Sequence, residues 1–394
     1  TFNDALRLDY YQNNSSSVPR KSILFRLKSV NERDEWLHCL TEATRLKIED
    51  LYEYDRLSEP LGRGRFATIY AGRRRREKQS MPLKHQEIAN NGNGILKKKP
   101  SFSSLLSHDI NLTREECDSA IKIIEKDKFW DRVRKGKERG DSIVRETAVQ
   151  AALLGLNIYP GFLRVKSFFE TIDKVVLELE LLQGIDLFRY VSSRGVLKEL
   201  EAANMIYDIL RCLDAMNKIG IAHRDIKPAN ILMANPEGKG VRVKLGDFGM
   251  ATFVGPDNLV RGRCGTPGYV APEIMAAGVN GGYENNVDMF SVGVIMYILL
   301  CGYEPFYGES EEELISENKA GKVDYPHDDW HHISVEGRDL VEKMLEKDPK
   351  KRIEPSKALQ HSWIKRRVDI EEKERYINAQ NKTETPNDLA CVIS

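Results

Sequence analysis

Apolar and polar positions alternate in the first part of the chain and give way to helical spacing in the second. Residues 22–29 (SILFRLKS) alternate at the two-residue period of a strand with one buried face. Residues 1–20 ahead of them are polar, with the run Asn13-Asn14-Ser15-Ser16-Ser17, and predict a loop. Residues 31–45 open on an Asn cap and early acids, then place Trp36, Leu37 and Leu40 at helical spacing, which predicts a helix. Strand-like patterns return over residues 56–124, interrupted by a polar stretch over residues 73–113. Residues 142–155 read as a helix, and from Leu187 onward helical patterns dominate. The longest apolar run, residues 289–301, is too short to cross a bilayer and follows Asp288, so it predicts a buried helix. After Trp363 the chain turns charged and polar, predicting the start of a helix and then a flexible tail.

Composition narrows this picture. With 41% hydrophobic residues in 394, the chain can bury a real core. Lys+Arg and Asp+Glu balance at 60 each, so no overall charge draws it to nucleic acid. The six cysteines, at 39, 117, 212, 264, 301 and 391, form no CxxC pair, which argues against a zinc site or a disulfide framework and fits a reducing, cytoplasmic setting. No secretory leader is present, and the opening Thr1 points to a piece of a longer protein. The stretch 73–113 carries Arg73-Arg74-Arg75-Arg76 and Lys97-Lys98-Lys99 among Gly, Asn and Ser, and predicts a disordered insert. The strand and Trp-bearing helix over residues 22–45 resemble the C-terminal end of a pleckstrin-homology domain. Residues 1–45 are too few to close that barrel and are read as a fragment of one; an unrelated strand–helix linker is the alternative.

Several motifs carry chemistry. In residues 61–72 (LGRGRFATIYAG), Gly62 and Gly64 let backbone approach a phosphate because no Cβ intervenes, and Ile69 is placed to cover a base. A glycine pair by itself is weak evidence, and a plain hairpin turn is the readier reading of it. In residues 119–124 (SAIKII), Lys122 stands in an apolar strand, where a lysine is costly unless paired. A phosphate and a carboxylate would pair it, and Glu146 in the 142–155 helix is the candidate carboxylate. Residues 221–233 (IAHRDIKPANILM) are far more specific. Asp225 can accept a hydroxyl proton, Lys227 can neutralise charge on a transferred phosphoryl group, and Asn230 can hold a metal. Residues 244–251 (KLGDFGMA) add Asp247 for magnesium, with Phe248 as a packing switch. Phosphoryl transfer asks mainly for in-line positioning and compensation of oxygen charge, and these groups supply both.

With residues 264–273 (CGTPGYVAPE) following in order, the set resembles the eukaryotic protein kinase family over about residues 54–364. The resemblance implies an α+β, bilobal fold: a small antiparallel-sheet lobe on a larger helical lobe, with ATP and Mg2+ in the cleft. It implies that Lys122 contacts the α- and β-phosphates and Glu146 orients it. Leu61, Gly62, Gly64, Ile69, Ala120 and Leu232 would surround the nucleotide. Leu179 matches the gatekeeper, Glu180 to Leu182 the adenine-bonding hinge, and Asp186 the ribose contact. Thr266 matches the residue that bonds Asp225 and Lys227 in serine/threonine kinases. Glu273 and Arg352 match a structural ion pair. Residues 301–310, 328–353 and 358–364 are similar to the calcium/calmodulin-dependent kinase group, and the layout, with a pleckstrin-homology segment ahead of the kinase, is similar to protein kinase D.

Departures from the family pattern shape further expectations. Arg224 precedes Asp225, an arrangement usually served by an activation-segment phosphate, yet residues 247–273 contain no serine and Gly262 occupies the usual phosphosite. Activity independent of such a phosphate is therefore expected. Ala67 replaces the third glycine of the loop and Gln150 an apolar residue one turn after Glu146. Ala229 stands where basophilic kinases often have Glu, so a preference for basic residues near the target rests on Asp186. Residues 391–394 (CVIS) fit a farnesylation signal on Cys391, and a membrane-peripheral location would follow through a prenyl group with the pleckstrin-homology segment or the basic insert. Lys98-Lys99-Pro100-Ser101 resembles a basophilic phosphosite within a solvated loop. The mixed charge and sparse apolar anchors after Trp363 argue against a calmodulin-binding helix. A catalytically silent scaffold and a lipid or small-molecule kinase are the rival readings. Retention of Lys122, Asp225, Asn230 and Asp247 opposes the first, and the peptide-docking stretch 265–273 opposes the second.

Overall fold

The computed structural model describes residues 5–10, 21–26, 47–54, 56, 59–75, 114–155, 159–182, 184–235, 240–277 and 281–375. The helix expected over residues 31–45, residues 76–113 of the insert, and the tail with Cys391 lie outside these. The chain divides into two compact units. The first holds residues up to Phe129 together with Ser167–Glu178, and the second holds Trp130–Lys166 and the chain from Leu179.

In the first unit, β1 (Ala5–Tyr10) pairs antiparallel with β2 (Lys21–Arg26), from Ala5 opposite Arg26 to Tyr10 opposite Lys21. This corrects the loop expected over residues 1–20. Ala-Leu-Arg-Leu-Asp-Tyr does alternate, but six residues beside a polar run carry little signal without a visible partner strand.

A separate 6-stranded sheet runs in the order β3 (Tyr52–Tyr54), β5 (Ala67–Arg74), β6 (Ser119–Glu125), β8 (Lys174–Glu180), β7 (Val165–Glu170), with β4 (Gly62–Arg63) also on β5. The short helix α1 (Ile48–Leu51) leads directly into β3. Ile48 and Tyr52 are buried with Ile121, Ile123, Phe169 and Val176. The Tyr52 ring stacks on Phe169 with centroids 5.5 Å apart, and its hydroxyl donates to the buried Glu178 Oε2 at 2.7 Å. Ser119 and Ser167 hydroxyls also donate to Glu178, so this buried carboxylate has three donors, which offsets the cost of removing it from water.

The insert was expected from Arg73, yet Arg73 and Arg74 complete β5 opposite Glu53 and Tyr52. Arg73 Nε donates to Glu53 Oε2 at 2.7 Å and Arg75 Nε to Glu49 O at 2.8 Å. A run of four arginines reads as disordered in sequence, but here a facing Glu53 draws its start into the ladder.

The second unit is mainly helical. Its principal helices are α2 (Lys126–Arg134), which begins in the first unit, α3 (Ser142–Gly155), α4 (Leu187–Arg194), α5 (Glu199–Lys218), α6 (Pro272–Ala276), α7 (Val287–Cys301), α8 (Glu311–Ala320) and α9 (Val335–Met344). Every residue of α7 is buried, and beyond Asp288 and Ser291 its sequence is apolar on all sides. A Cβ at Gly293 would fall 2.8 Å from Met344 Cβ and 2.9 Å from Leu345 side-chain carbons, so glycine there permits the close approach of α7 and α9. The large-lobe ion pair is bidentate: Arg352 Nη1 and Nη2 lie 2.5 and 3.0 Å from the two Glu273 carboxylate oxygens. Helical residues 370–375 end the described chain, where Lys373 Nζ meets the fully buried Asp208 at 2.7 Å. Among the described residues no helix is long and apolar enough to cross a membrane. A mixed α and β fold, a sheet unit and a helical unit, is thus present.

Candidate active site

In the first unit, register decides which side chains share a face. Directly opposed residues of an antiparallel pair project to the same side. Gly62 opposes Ile69 on β4 and β5, Ile69 opposes Lys122 on β5 and β6, and Ala71 opposes Ala120. Gly62, Ile69, Ala120 and Lys122 therefore lie on one face of the sheet. Lys122 is half-buried in a strand whose neighbours Ile121 and Ile123 are buried. Leu61, half-buried, leads into β4. At Gly62 and Gly64 an added Cβ would meet its nearest atoms at 3.8 and 3.6 Å, ordinary contact distances. The fold itself leaves room for a side chain at both positions. Ala67, at the place of the third glycine, is buried at the start of β5.

In the second unit, the short strand β9 (Ile221–Ala222), paired with β12 (Thr252–Phe253), leads into residues 223–227, followed by a 3-10 turn (Pro228–Asn230) and β10 (Ile231–Met233), which pairs with β11 (Val243–Leu245). Residues 223–227 are fixed from below by Asp288 in the first turn of α7. Its carboxylate accepts from the backbone N–H of both His223 and Arg224 at 2.7 Å. Burial pushes the Asp288 carboxyl up from the ordinary range, against the pull of His223 and these N–H groups. His223 Nε2 lies 3.0 Å from Gly246 O, and its ring is 5.1 Å from that of the buried Phe248.

On this base the polar side chains converge. Thr266 Oγ1 donates to Asp225 Oδ1 at 2.6 Å and accepts from Lys227 Nζ at 2.9 Å. Lys227 Nζ also reaches Asp225 Oδ2 at 2.9 Å. Asn230 Nδ2 donates to Asp225 O at 2.8 Å and to Asp225 Oδ2 at 3.1 Å. Asp225, Lys227, Asn230 and Thr266, 41 residues apart at the extremes, thus form one hydrogen-bonded group. Asp247 is exposed, in the left-handed region at φ 54°, and caps the turn Phe248–Met250. A Cβ at Gly249 would lie 3.3 Å from Asp247 Oδ1 and 3.7 Å from Oε2 of the buried Glu146, so both carboxylates border this glycine.

The remaining expected residues fall nearby in sequence order. The Glu180 carboxylate is held by Lys244 Nζ at 2.7 and 2.8 Å and by Arg164 N at 2.8 Å, and its backbone N–H donates to Arg164 O at 2.8 Å, so both its side chain and its N–H are committed to the fold. Leu182 and Leu232 are half-buried, and Asp186 bridges to Leu232 through the backbone. The Asp186 carboxylate caps α4 through Arg189 N at 2.8 Å. Gln150 is buried, and its Oε1 has no hydrogen-bond partner. Lys122 and Glu146 belong to different units.

The donor set suits magnesium. Asn230 spends its amide nitrogen on Asp225, which leaves the amide oxygen, a hard donor, for a cation, and Asp247 offers an exposed carboxylate. Among the described residues no group of three or more His, Cys, Asp or Glu could hold an ion alone. Magnesium needs none: it keeps waters and takes one or two protein oxygens plus substrate phosphates.

Asp288, His223 and Tyr283 were not anticipated from the sequence. The signal for Asp288 was available, since a single carboxylate heading an apolar helix must find donors. His223 and Tyr283 carry no comparable local sign.

Comparison with known proteins follows the same lines. Residues 109–364 match the protein kinase domain family. The chain is 30% identical over 344 residues to myosin light chain kinase A of Dictyostelium discoideum, covering 86% of this chain and 98% of that protein. It is 39% identical over 207 residues to calcium/calmodulin-dependent protein kinase type IV of Rattus norvegicus, covering 52% of this chain and 43% of that one. It is 38% identical over 209 residues to calcium-dependent protein kinase 4 of Arabidopsis thaliana, covering 53% and 41%.

Proposed function

The chain belongs to the protein kinase family, as a serine/threonine kinase of the calcium/calmodulin-dependent group, and from that premise we propose that Asp225, Lys227 and Thr266 carry its phosphotransfer step. The observation that carries this reading is the shared hydrogen-bonding of the three side chains about Asp225. Asp225 accepts the hydroxyl proton of a substrate serine or threonine and aims its oxygen. Lys227 places positive charge beside that carboxylate, where negative charge builds on the transferring oxygens. Thr266 fixes one Asp225 oxygen and leaves the other to Lys227 and Asn230. Asp247 and the Asn230 amide oxygen would hold Mg2+, which when bound neutralises phosphate charge. Lys122 serves the α- and β-phosphates of ATP and Glu146 orients it; the family carries these two roles.

The test is Asp225→Asn. It keeps the shape and removes the proton acceptor, so kcat on a basic protein substrate falls about 10²–10⁴-fold while the melting temperature holds. Unchanged turnover would remove Asp225 from the mechanism. A preference for basic residues near the target, through Asp186, is a weaker part of the proposal, because that carboxylate already caps α4. Membrane association through Cys391 or the pleckstrin-homology segment rests on the sequence alone; Cys391→Ser should release the protein from membranes, and an unaltered distribution ends that idea.

A further inference from the structure

Arg224 lies immediately before Asp225 at φ 68°, and its guanidinium is buried. A buried guanidinium needs oxygens for its N–H groups. In kinases switched by activation-segment phosphorylation, arginine–phosphate pairs order the segment. Here the oxygens are neutral. Arg224 Nε and Nη2 donate to Met250 O at 2.9 and 2.6 Å, and Nη1 donates to Arg261 O at 2.8 Å and to the Tyr283 hydroxyl at 3.3 Å. Two of these acceptors belong to the segment that runs from Asp247 to Thr266. The third comes from outside it.

Tyr283 is the point where these contacts meet. It lies in β14 (Gly282–Tyr283), which pairs antiparallel with β13 (Val260–Arg261) inside the segment. Its hydroxyl donates to Gly262 O at 2.8 Å while accepting from Arg224. The pairing is close: a Cβ at Gly282 would fall 2.8 Å from Leu259 Cδ1. Tyr283 is buried, and its hydroxyl both donates and accepts within this group of contacts.

We infer that Tyr283 is a positioning residue for phosphotransfer. Its hydroxyl and the β13–β14 pair clamp residues 260–264 and the Arg224 guanidinium, and so hold Asp225 and Thr266 in register with no phosphate on the segment. The inference rests on the phosphotransfer reading above and adds to it the means by which the segment is set.

Tyr283→Phe removes one oxygen and keeps the ring. The full chain is treated with phosphatase, its mass checked, and assayed with ATP, Mg2+ and a serine-containing basic peptide. The expected result is that treated and untreated wild type turn over alike. Tyr283→Phe should lower kcat about 10- to 100-fold, the scale of a small misplacement of reacting groups, with KM for ATP unchanged. Trypsin should nick the variant after Arg261 or Arg263 faster than wild type. A hydroxyl serving stability alone would lower the melting temperature and leave kcat intact well below it, and that result overturns the inference. Loss of wild-type turnover on phosphatase treatment overturns it as well. If neither form of wild type turns over, the phosphotransfer reading fails separately, and equal nicking of the two proteins then sinks the clamp. Should Tyr283→Phe not fold, Arg224→Lys, which keeps the charge but cannot span three acceptors, is expected to show the same kcat loss, and a normal kcat would refute the clamp.

Discussion

Single residues in this chain are held by oxygens drawn from distant parts of the sequence. Arg352 shows the energetic consequence most clearly. Its side chain is wholly buried, it meets both oxygens of Glu273, and it also donates to Asn286 O and Glu346 O. Removing one partner of such a pair leaves an uncompensated buried charge, so Arg352→Ala should cost about 3–5 kcal/mol of unfolding free energy in urea titration. A loss near zero would mean that water reaches Glu273 freely. Residue identity was legible in the sequence where a charge stood in an apolar setting, as with Lys122, or in a dense motif, as with Asp225 and Asn230. It was not legible for Tyr283, because a tyrosine after a glycine gives no hint of an arginine 59 residues away.

At the scale of elements, the N-terminus of α5 gathers its neighbours through Glu199. Its carboxylate accepts from Ser334 N at 3.0 Å, Ser334 Oγ at 2.6 Å and Trp363 Nε1, and pairs with Arg367 at 2.8 Å. Burial raises the Glu199 pKa, but the hydrogen bonds from Ser334 and Trp363 outweigh it and leave the group below the ordinary glutamate value. A lowered folded value means stability that is present above the unfolded pKa of about 4.3 and lost as pH falls through the folded one. Melting temperatures followed downward from neutral pH should therefore drop on the acid side, and Glu199→Gln should flatten part of that drop. An identical acid limb in the variant would show that Glu199 titrates alike in both states. Elements were legible in the sequence in proportion to their regularity. The uniform apolar run predicted α7, whereas β1 was read as loop and the short elements α1 and β3 were not foreseen. Each of those is short, and its identity depends on a partner: β2 for β1, and Phe169 and Glu178 for Tyr52.

For the whole molecule, the proposed roles fall on different units, one mainly sheet and one mainly helical. Lys122 stands on a sheet face with Gly62 and Ile69, and the proposed chemistry stands on residues 225–266. Lys122→Met should weaken nucleotide binding about 10- to 100-fold in a fluorescence titration, the value of a hydrogen bond to a charged group, while Asp225→Asn leaves that affinity largely unchanged. Equal effects of both variants on nucleotide affinity would contradict the division. The sequence alone determined the family, the order of the chemical groups and the absence of a net charge, because motif residues and buried helices are constrained locally or by composition. Only the tertiary structure decided that Asp288 supports residues 223–224 and that Tyr283 meets Arg224. The physical reason is that a buried polar atom must be satisfied by whichever partner the fold brings within about 3 Å, and sequence separation carries no information about that distance.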